Sequence, residues 1–89
     1  MANVIATHAV GNMDTWLAGG AEREEIFSTF CSGYSIFRHP EQNRVSLIWR
    51  DVDMERFETA MKDPKAVEGK VRHTVLDPID IYVEVDGGR

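Results

Sequence analysis

The stretch His39–Met61, HPEQNRVSLIWRDVDMERFETAM, decides the fold because its hydrophobic period changes partway along. It opens with a turn, in which Pro40 fixes φ. Over Arg44–Arg50 large apolar side chains occupy alternate positions, which is typical of a strand. From Met54 onward the apolar residues follow helical spacing. The stretch therefore predicts a turn, then a strand, then a helix over about 54–62.

Three further segments, before and after this stretch, are rich in β-branched residues and are bounded by turn-forming residues, as strands are. The second of them forms a hairpin with Arg44–Arg50, since the turn between the two is short. The predicted strands are Asn3–Val10, Tyr34–Arg38 and Ile79–Val85.

Helices are predicted in both of the longer connections. Gly11-Asn12 ends the first strand, and Gly19-Gly20 interrupts the helical region that follows it. Asp63-Pro64 opens a further helix, whose buried face is predicted to carry Val67 and Val71. Asp77-Pro78 is predicted as a break before the last strand.

The element order is thus β-α-β-β-α-β, an α+β chain with a four-stranded antiparallel sheet of ferredoxin-like arrangement. The length of 89 residues suits a single domain over 1–89, with 86–89 as a flexible tail.

The two faces of the predicted sheet are expected to pack against different structures. The front face is almost wholly apolar and should meet the helices; it carries Val4, Ala6, Val45, Leu47, Trp49, Ile81 and Val83. The back face has too much apolar surface for a soluble monomer, so a homodimer packed sheet to sheet is predicted. It carries Ile5, Thr7, Ala9, Phe37, Ile48 and Tyr82.

The charge composition restricts the classes of binding partner that are expected. The net charge of −5 disfavours nucleic acid and anionic membrane surfaces, which attract basic proteins. Neither a signal peptide nor a stretch long enough to span a membrane is visible, so a cytoplasmic location is expected.

Cys31 is the one cysteine, which excludes an intrachain disulfide. Neither a metal-ligand spacing nor a phosphate-binding loop is present, so no metal and no cofactor is expected.

The chain resembles the dimeric α+β barrel superfamily, in which cofactor-independent antibiotic-biosynthesis monooxygenases, small polyketide cyclases and stress-responsive proteins occur. The resemblance runs from His8 to Val85. Its stretches are THAVGNMDTW (Thr7–Trp16), HPEQNRVSLIWRDVDMERFETAM (His39–Met61) and DPKAVEGKV (Asp63–Val71). It implies a dimeric barrel and a small aromatic or polyketide-type ligand, and among the monooxygenases' pocket residues Trp49 matches by residue type.

Candidate site residues follow from residue type and position. His8 is the ionisable residue on an otherwise apolar strand face, and is either a general acid or base or a hydrogen-bonded core histidine. Large aromatic side chains either line a pocket for a flat ligand or fill the core. These are Trp16, Phe27, Tyr34 and Trp49. The run Glu22–Glu25 is interpreted as a solvated helix face.

Three functions stay open. The first is a cofactor-free monooxygenase- or cyclase-like enzyme on an aromatic or polyketide-type compound, with His8 as acid or base. The second is a non-catalytic small-molecule-binding or stress-associated module. The third is a purely structural homodimer. An enclosed pocket that reaches His8 would favour the first two.

Overall fold

The computed structural model describes residues 2–85; the predicted tail 86–89 lies outside the described residues. Strands and helices follow one another in the predicted order, with each helical connection divided into two helices. The strands are β1 (Ala2–Val10), β2 (Gly33–Arg38), β3 (Arg44–Val52) and β4 (Val75–Val83). The helices are α1 (Met13–Ala18), α2 (Gly20–Phe27), α3 (Met54–Lys62) and α4 (Pro64–Arg72).

The four strands form one antiparallel sheet in the order β2-β3-β1-β4. This is the ferredoxin-like arrangement, so the predicted fold class is confirmed. β1 and β3 occupy the centre, and β3 pairs with both β1 and β2. In this register His8 lies opposite Val45, and Trp49 lies opposite Val4 on one side and Tyr34 on the other.

Short polar side chains set the helix starts. The Asn12 side chain accepts a hydrogen bond from the Thr15 backbone at 3.0 Å and caps α1. Asp53 caps α3 in the same way. Asp63 ends α3 and caps α4 by accepting from the Lys65 backbone at 2.8 Å. Because one residue serves both helices, the chain turns sharply between them with no loop.

The last strand corrects the predicted break at Asp77-Pro78. β4 already begins at Val75 and runs through this pair, whose peptide bond is cis. A shift in register between Thr7 and Ala9 of β1 accommodates the additional residues of β4. Proline is tolerated here because β4 is an edge strand, and its outer side needs no amide donor.

The buried face of α4 also differs from the prediction. Val67 and Val71 are exposed, whereas Ala66 and Gly69 are buried. A Cβ on Gly69 would lie 3.3 Å from a carboxylate oxygen of Glu22. α4 thus turns Gly69 toward Glu22 of α2, where an added Cβ would crowd the carboxylate.

The core lies between the front face and the helices, as the alternation of β1 and β3 predicts. Val4, Ala6, Val45, Leu47 and Trp49 are all buried there. On the opposite side of the sheet, several apolar back-face residues remain exposed in the single chain: Ile5, Phe37 and Tyr82. Leu76, opposite Ala9, is exposed there as well.

No helix within residues 2–85 is both long and apolar enough to cross a membrane.

Candidate functional site

A cavity of about 350 Å³ lies between the front face and the helices, within the range of small-molecule pockets. It forms where the helices leave the β4 edge uncovered: Ile81, on the front face of β4, stays 42% exposed although it pairs with buried Ala6. Small residues add to the space, since Ala6 of β1 and Ala66 and Gly69 of α4 all line it.

Four of the five sequence-predicted site residues meet in the wall of this cavity. They are His8, Trp16, Phe27 and Trp49. Each is buried. The fifth, Tyr34, does not line the cavity. Its ring packs edge-on behind Phe27, with centroids 5.1 Å apart, and its hydroxyl donates a hydrogen bond to Glu24. That hydrogen bond raises the pKa of Tyr34.

Trp49 is the centre of the aromatic wall. Its indole contacts Phe27, Phe30 and Phe57, with centroid distances of 5.1, 5.4 and 5.4 Å. Such tilted and edge-on contacts hold the ring in place. The Nε1–H group of Trp49 is buried and has no hydrogen-bond partner within residues 2–85. A buried donor without a partner is energetically costly.

His8 projects from the central strand beside Trp16, with the two rings edge-on and their centroids 6.1 Å apart. Its Nδ1 lies 2.9 Å from the carbonyl oxygen of Ala9. Because a carbonyl only accepts, Nδ1 carries the proton and Nε2 keeps a free electron pair. Burial lowers the pKa of His8, and the positive charges of Arg44 and Arg23 lower it further. The ring is therefore a neutral base near pH 7.

Arg23 is a buried cavity-lining residue that the sequence interpretation missed. Instead of lying on a solvated face, it is 7% exposed and lines the cavity. Its guanidinium carbon lies 3.9 Å from the centroid of the Trp16 ring, a cation–π contact. Burial lowers its pKa, and its Nε–H has no partner among the described residues. The signal was present in the helical spacing, since Arg23 shares a face with Ile26, Phe27 and Phe30.

Polar contacts between α2 and the end of α4 close one side of the cavity. Glu22 accepts from Arg72 and lies 3.0 Å from Nε2 of His73. Nδ1 of His73 in turn lies 3.5 Å from Nη1 of Arg23. Partial desolvation acts to raise the pKa of Glu22, but the hydrogen bond and charge of Arg72 outweigh it and hold that pKa below its usual value.

The other chemistry-bearing residues lie elsewhere. His39 is exposed in the β2–β3 turn, where its Nδ1 accepts from the backbone of Glu41 and Gln42. The Cys31 thiol donates to the carbonyl of Phe27, and burial raises its pKa. Within residues 2–85 no group of three or more His, Cys, Asp or Glu side chains is placed to hold a metal ion.

Comparison with known proteins shows the fold. No protein-family model matches the chain, and no curated protein matches it in sequence. Solved structures do match. A NIPSNAP family protein of unknown function from Agrobacterium tumefaciens aligns with a TM-score of 0.71 and 19% identity, over 93% of this chain and 85% of that one.

Two further structures show the same likeness. An uncharacterised NIPSNAP domain protein from Burkholderia xenovorans aligns with a TM-score of 0.67 and 18% identity, over 96% of this chain and 93% of that one. SnoaB, a cofactor-independent oxygenase from Streptomyces nogalater, aligns with a TM-score of 0.66 and 13% identity, over 91% of this chain and 89% of that one. At these identities the shared property is the fold.

Proposed function

We propose that this chain is a cofactor-free, monooxygenase- or cyclase-like enzyme acting on an aromatic or polyketide-type molecule bound in the cavity. The observation that carries the proposal is a neutral, buried histidine, His8, in the wall of an aromatic cavity. The fold shared with the oxygenase SnoaB supports the reaction class, as an analogy between folds.

In this proposal Trp49 and Phe27 stack on the flat ligand in the cavity. Nε2 of His8 then takes a proton from an acidic C–H or hydroxyl group of the ligand. The resulting anion is electron-rich enough to react with O₂ directly. In the oxygenase case a CH₂ group and O₂ give a C=O group and water, which balances without any other reductant.

The exposed back face supports a homodimer as the working unit, with one domain in each chain. Ile5, Phe37 and Tyr82 form an apolar surface that a second sheet would cover, and burying such a surface is a main source of association energy. A cytoplasmic location is part of the same proposal, since the lone Cys31 suits a reducing compartment.

A non-catalytic binding module is the second candidate. The aromatic wall and the Arg23 cation that line the cavity favour the binding of a ligand whether or not His8 removes a proton from it. Turnover therefore has to be measured separately from binding.

The proposal is tested with purified protein, anthrone and O₂, with no added cofactor or metal. Oxygen consumption and anthraquinone formation are recorded. We expect turnover by the wild type and a loss of about a hundredfold in His8→Asn, because removing a general base costs roughly that much. Asn keeps a donor for the Ala9 carbonyl but provides no base.

His39→Asn is the matched control, since His39 lies in an exposed turn. It should retain wild-type turnover. Equal turnover by His8→Asn and the wild type would contradict the role of His8. Binding of the ligand without turnover would support the non-catalytic binding module. If neither anthrone nor other aromatic ligands bind, the purely structural homodimer is the remaining function.

A further inference from the structure

Arg23 is a buried cation whose nearest acidic residues are engaged elsewhere. Glu22 contacts Arg72 and His73, and Glu24 accepts from Tyr34. Within residues 2–85 no carboxylate forms a salt bridge with Arg23, and its Nε–H is buried without a partner.

A guanidinium in this position is incompletely satisfied. The face of Trp16 offsets part of its charge, and Nδ1 of His73 accepts only a long contact of 3.5 Å from Nη1. Buried charges in proteins are normally paired, because an unpaired one loses its hydration without compensation. Arg23 lines the cavity together with Lys70, so a ligand in the cavity can bring an anionic group to its guanidinium.

We propose that Arg23 anchors a carboxylate of the bound ligand, so that the ligand is an aromatic carboxylic acid. This inference rests on the proposed use of the cavity and adds the chemical class of what it holds. A planar carboxylate matches the planar donor fork of arginine, whose charge has no carboxylate partner among the described residues. Apart from Lys70, His8 and His73 the rest of the wall is apolar, which suits an anionic group on an otherwise apolar molecule.

The placement of Arg23 also orients the ligand. Trp16 contacts the guanidinium of Arg23 on its face and the ring of His8 edge-on. A carboxylate held at Arg23 therefore sets the aromatic body of the ligand along Trp16, with its far part toward His8. Arg23 is in this sense a specificity-determining residue, because it selects acids over their uncharged counterparts.

The test compares two probes that differ in one group, naphthoate and naphthylmethanol, by titration calorimetry. We expect wild-type protein to bind naphthoate at least about tenfold more tightly, which corresponds to about 1.4 kcal/mol. Arg23→Gln should abolish the preference while leaving the affinity for naphthylmethanol within about threefold. Lys65→Gln is the matched control and should keep the preference, since Lys65 is an exposed cation on α4 outside the cavity wall. Lys70→Gln tests the second cation that lines the cavity.

Equal affinities of the wild type for both probes would overturn the carboxylate anchor while leaving the cavity as a binding site. A preference that survives Arg23→Gln and disappears in Lys70→Gln would assign the anchor to the other cation. If neither probe nor anthrone binds, the proposed use of the cavity fails as well. Should Arg23→Gln not fold, the Nε–H signal of Arg23 in nitrogen-labelled wild-type protein must shift with naphthoate and not with naphthylmethanol.

Discussion

His8 links the site to the acid stability of the fold. Its pKa is lowered in the folded chain, first by burial and then by Arg44, Arg23 and Lys70. The unfolded chain therefore takes up a proton more readily as the pH falls past the usual histidine value of 6.5. The stability that the neutral ring contributes is complete above that pH and is lost as the pH falls below it.

His8→Asn should remove this pH dependence. Urea unfolding followed from about pH 7.5 down to about pH 5 should show the wild type losing stability more steeply than the variant. His39→Asn should follow the wild type, which separates His8 from a general effect of losing a histidine. Parallel curves for His8→Asn and the wild type would mean that His8 is solvated in the folded chain.

Individual site residues were predictable where one pattern determined their environment. The alternation along β1 and β3 places His8 and Trp49 on the front face, and the helical spacing of Phe27 puts it beneath them. Arg23 escaped this reasoning because its charge and acidic neighbours indicated solvent, although its position in the helical period indicated the core. Arg23 is held in the core by the contact of its guanidinium with the face of the Trp16 ring on another helix. The spacing of residues along α2 alone does not reveal such a contact.

The junction between α1 and α2 depends on a missing side chain. A Cβ on Gly19 would lie 2.5 Å from the ring of His73, whereas one on Gly20 would meet nothing within 4 Å. Gly19→Ala must therefore push the His73 ring away from Glu22. We expect a loss of about 1–2 kcal/mol in the free energy of unfolding, measured in urea, because a nearly buried hydrogen bond is broken.

Gly20→Ala is the matched control one position later in the chain. It should be neutral or slightly stabilising, since alanine has less backbone freedom to lose in a helix. In the double variant Gly19→Ala/His73→Ala the loss in the free energy of unfolding should be smaller than the sum of the losses in the two single variants, because the clash between the added Cβ and the His73 ring is gone. Full additivity would show that Gly19 and His73 do not contact each other.

The start of a helix was predictable where a capping side chain bonds the backbone next to it in sequence. Which face of a helix is buried was not predictable where contacts with distant parts of the chain determine it. Asp63-Pro64 predicted the start of α4 because the Asp63 side chain bonds the adjacent backbone. The rotation of α4 could not be predicted in this way. Val67 and Val71 suggested an apolar stripe, but the close approach of Gly69 to Glu22 determines which face is buried.

The proposed homodimer rests on the apolar character of both faces of the sheet. On β1 and β3 the front-face residues are covered by the chain's own helices, although Ile81 and Val83 of β4, which were predicted to meet the helices, are 42% and 47% exposed. On the back face Ile5 is 40%, Phe37 58% and Tyr82 62% exposed. The centre of that face is Ile5, which lies opposite Ile48 on β3 and Tyr82 on β4. The proposed dimer needs this position to be apolar, because a charge there would be buried without a partner.

Ile5→Glu should therefore convert the dimer to monomers, raising the dissociation constant by at least about a hundredfold, since one buried charge in each copy lacks a partner. Analytical ultracentrifugation measures the change, and unfolding in urea establishes that the variant is folded. Val71→Glu is the matched control, since Val71 is a 76% exposed apolar residue on α4, away from the sheet. It should remain dimeric. A wild type that sediments as a folded monomer at micromolar concentration would refute the assembly directly, and dimers in both variants would place the interface away from the back face.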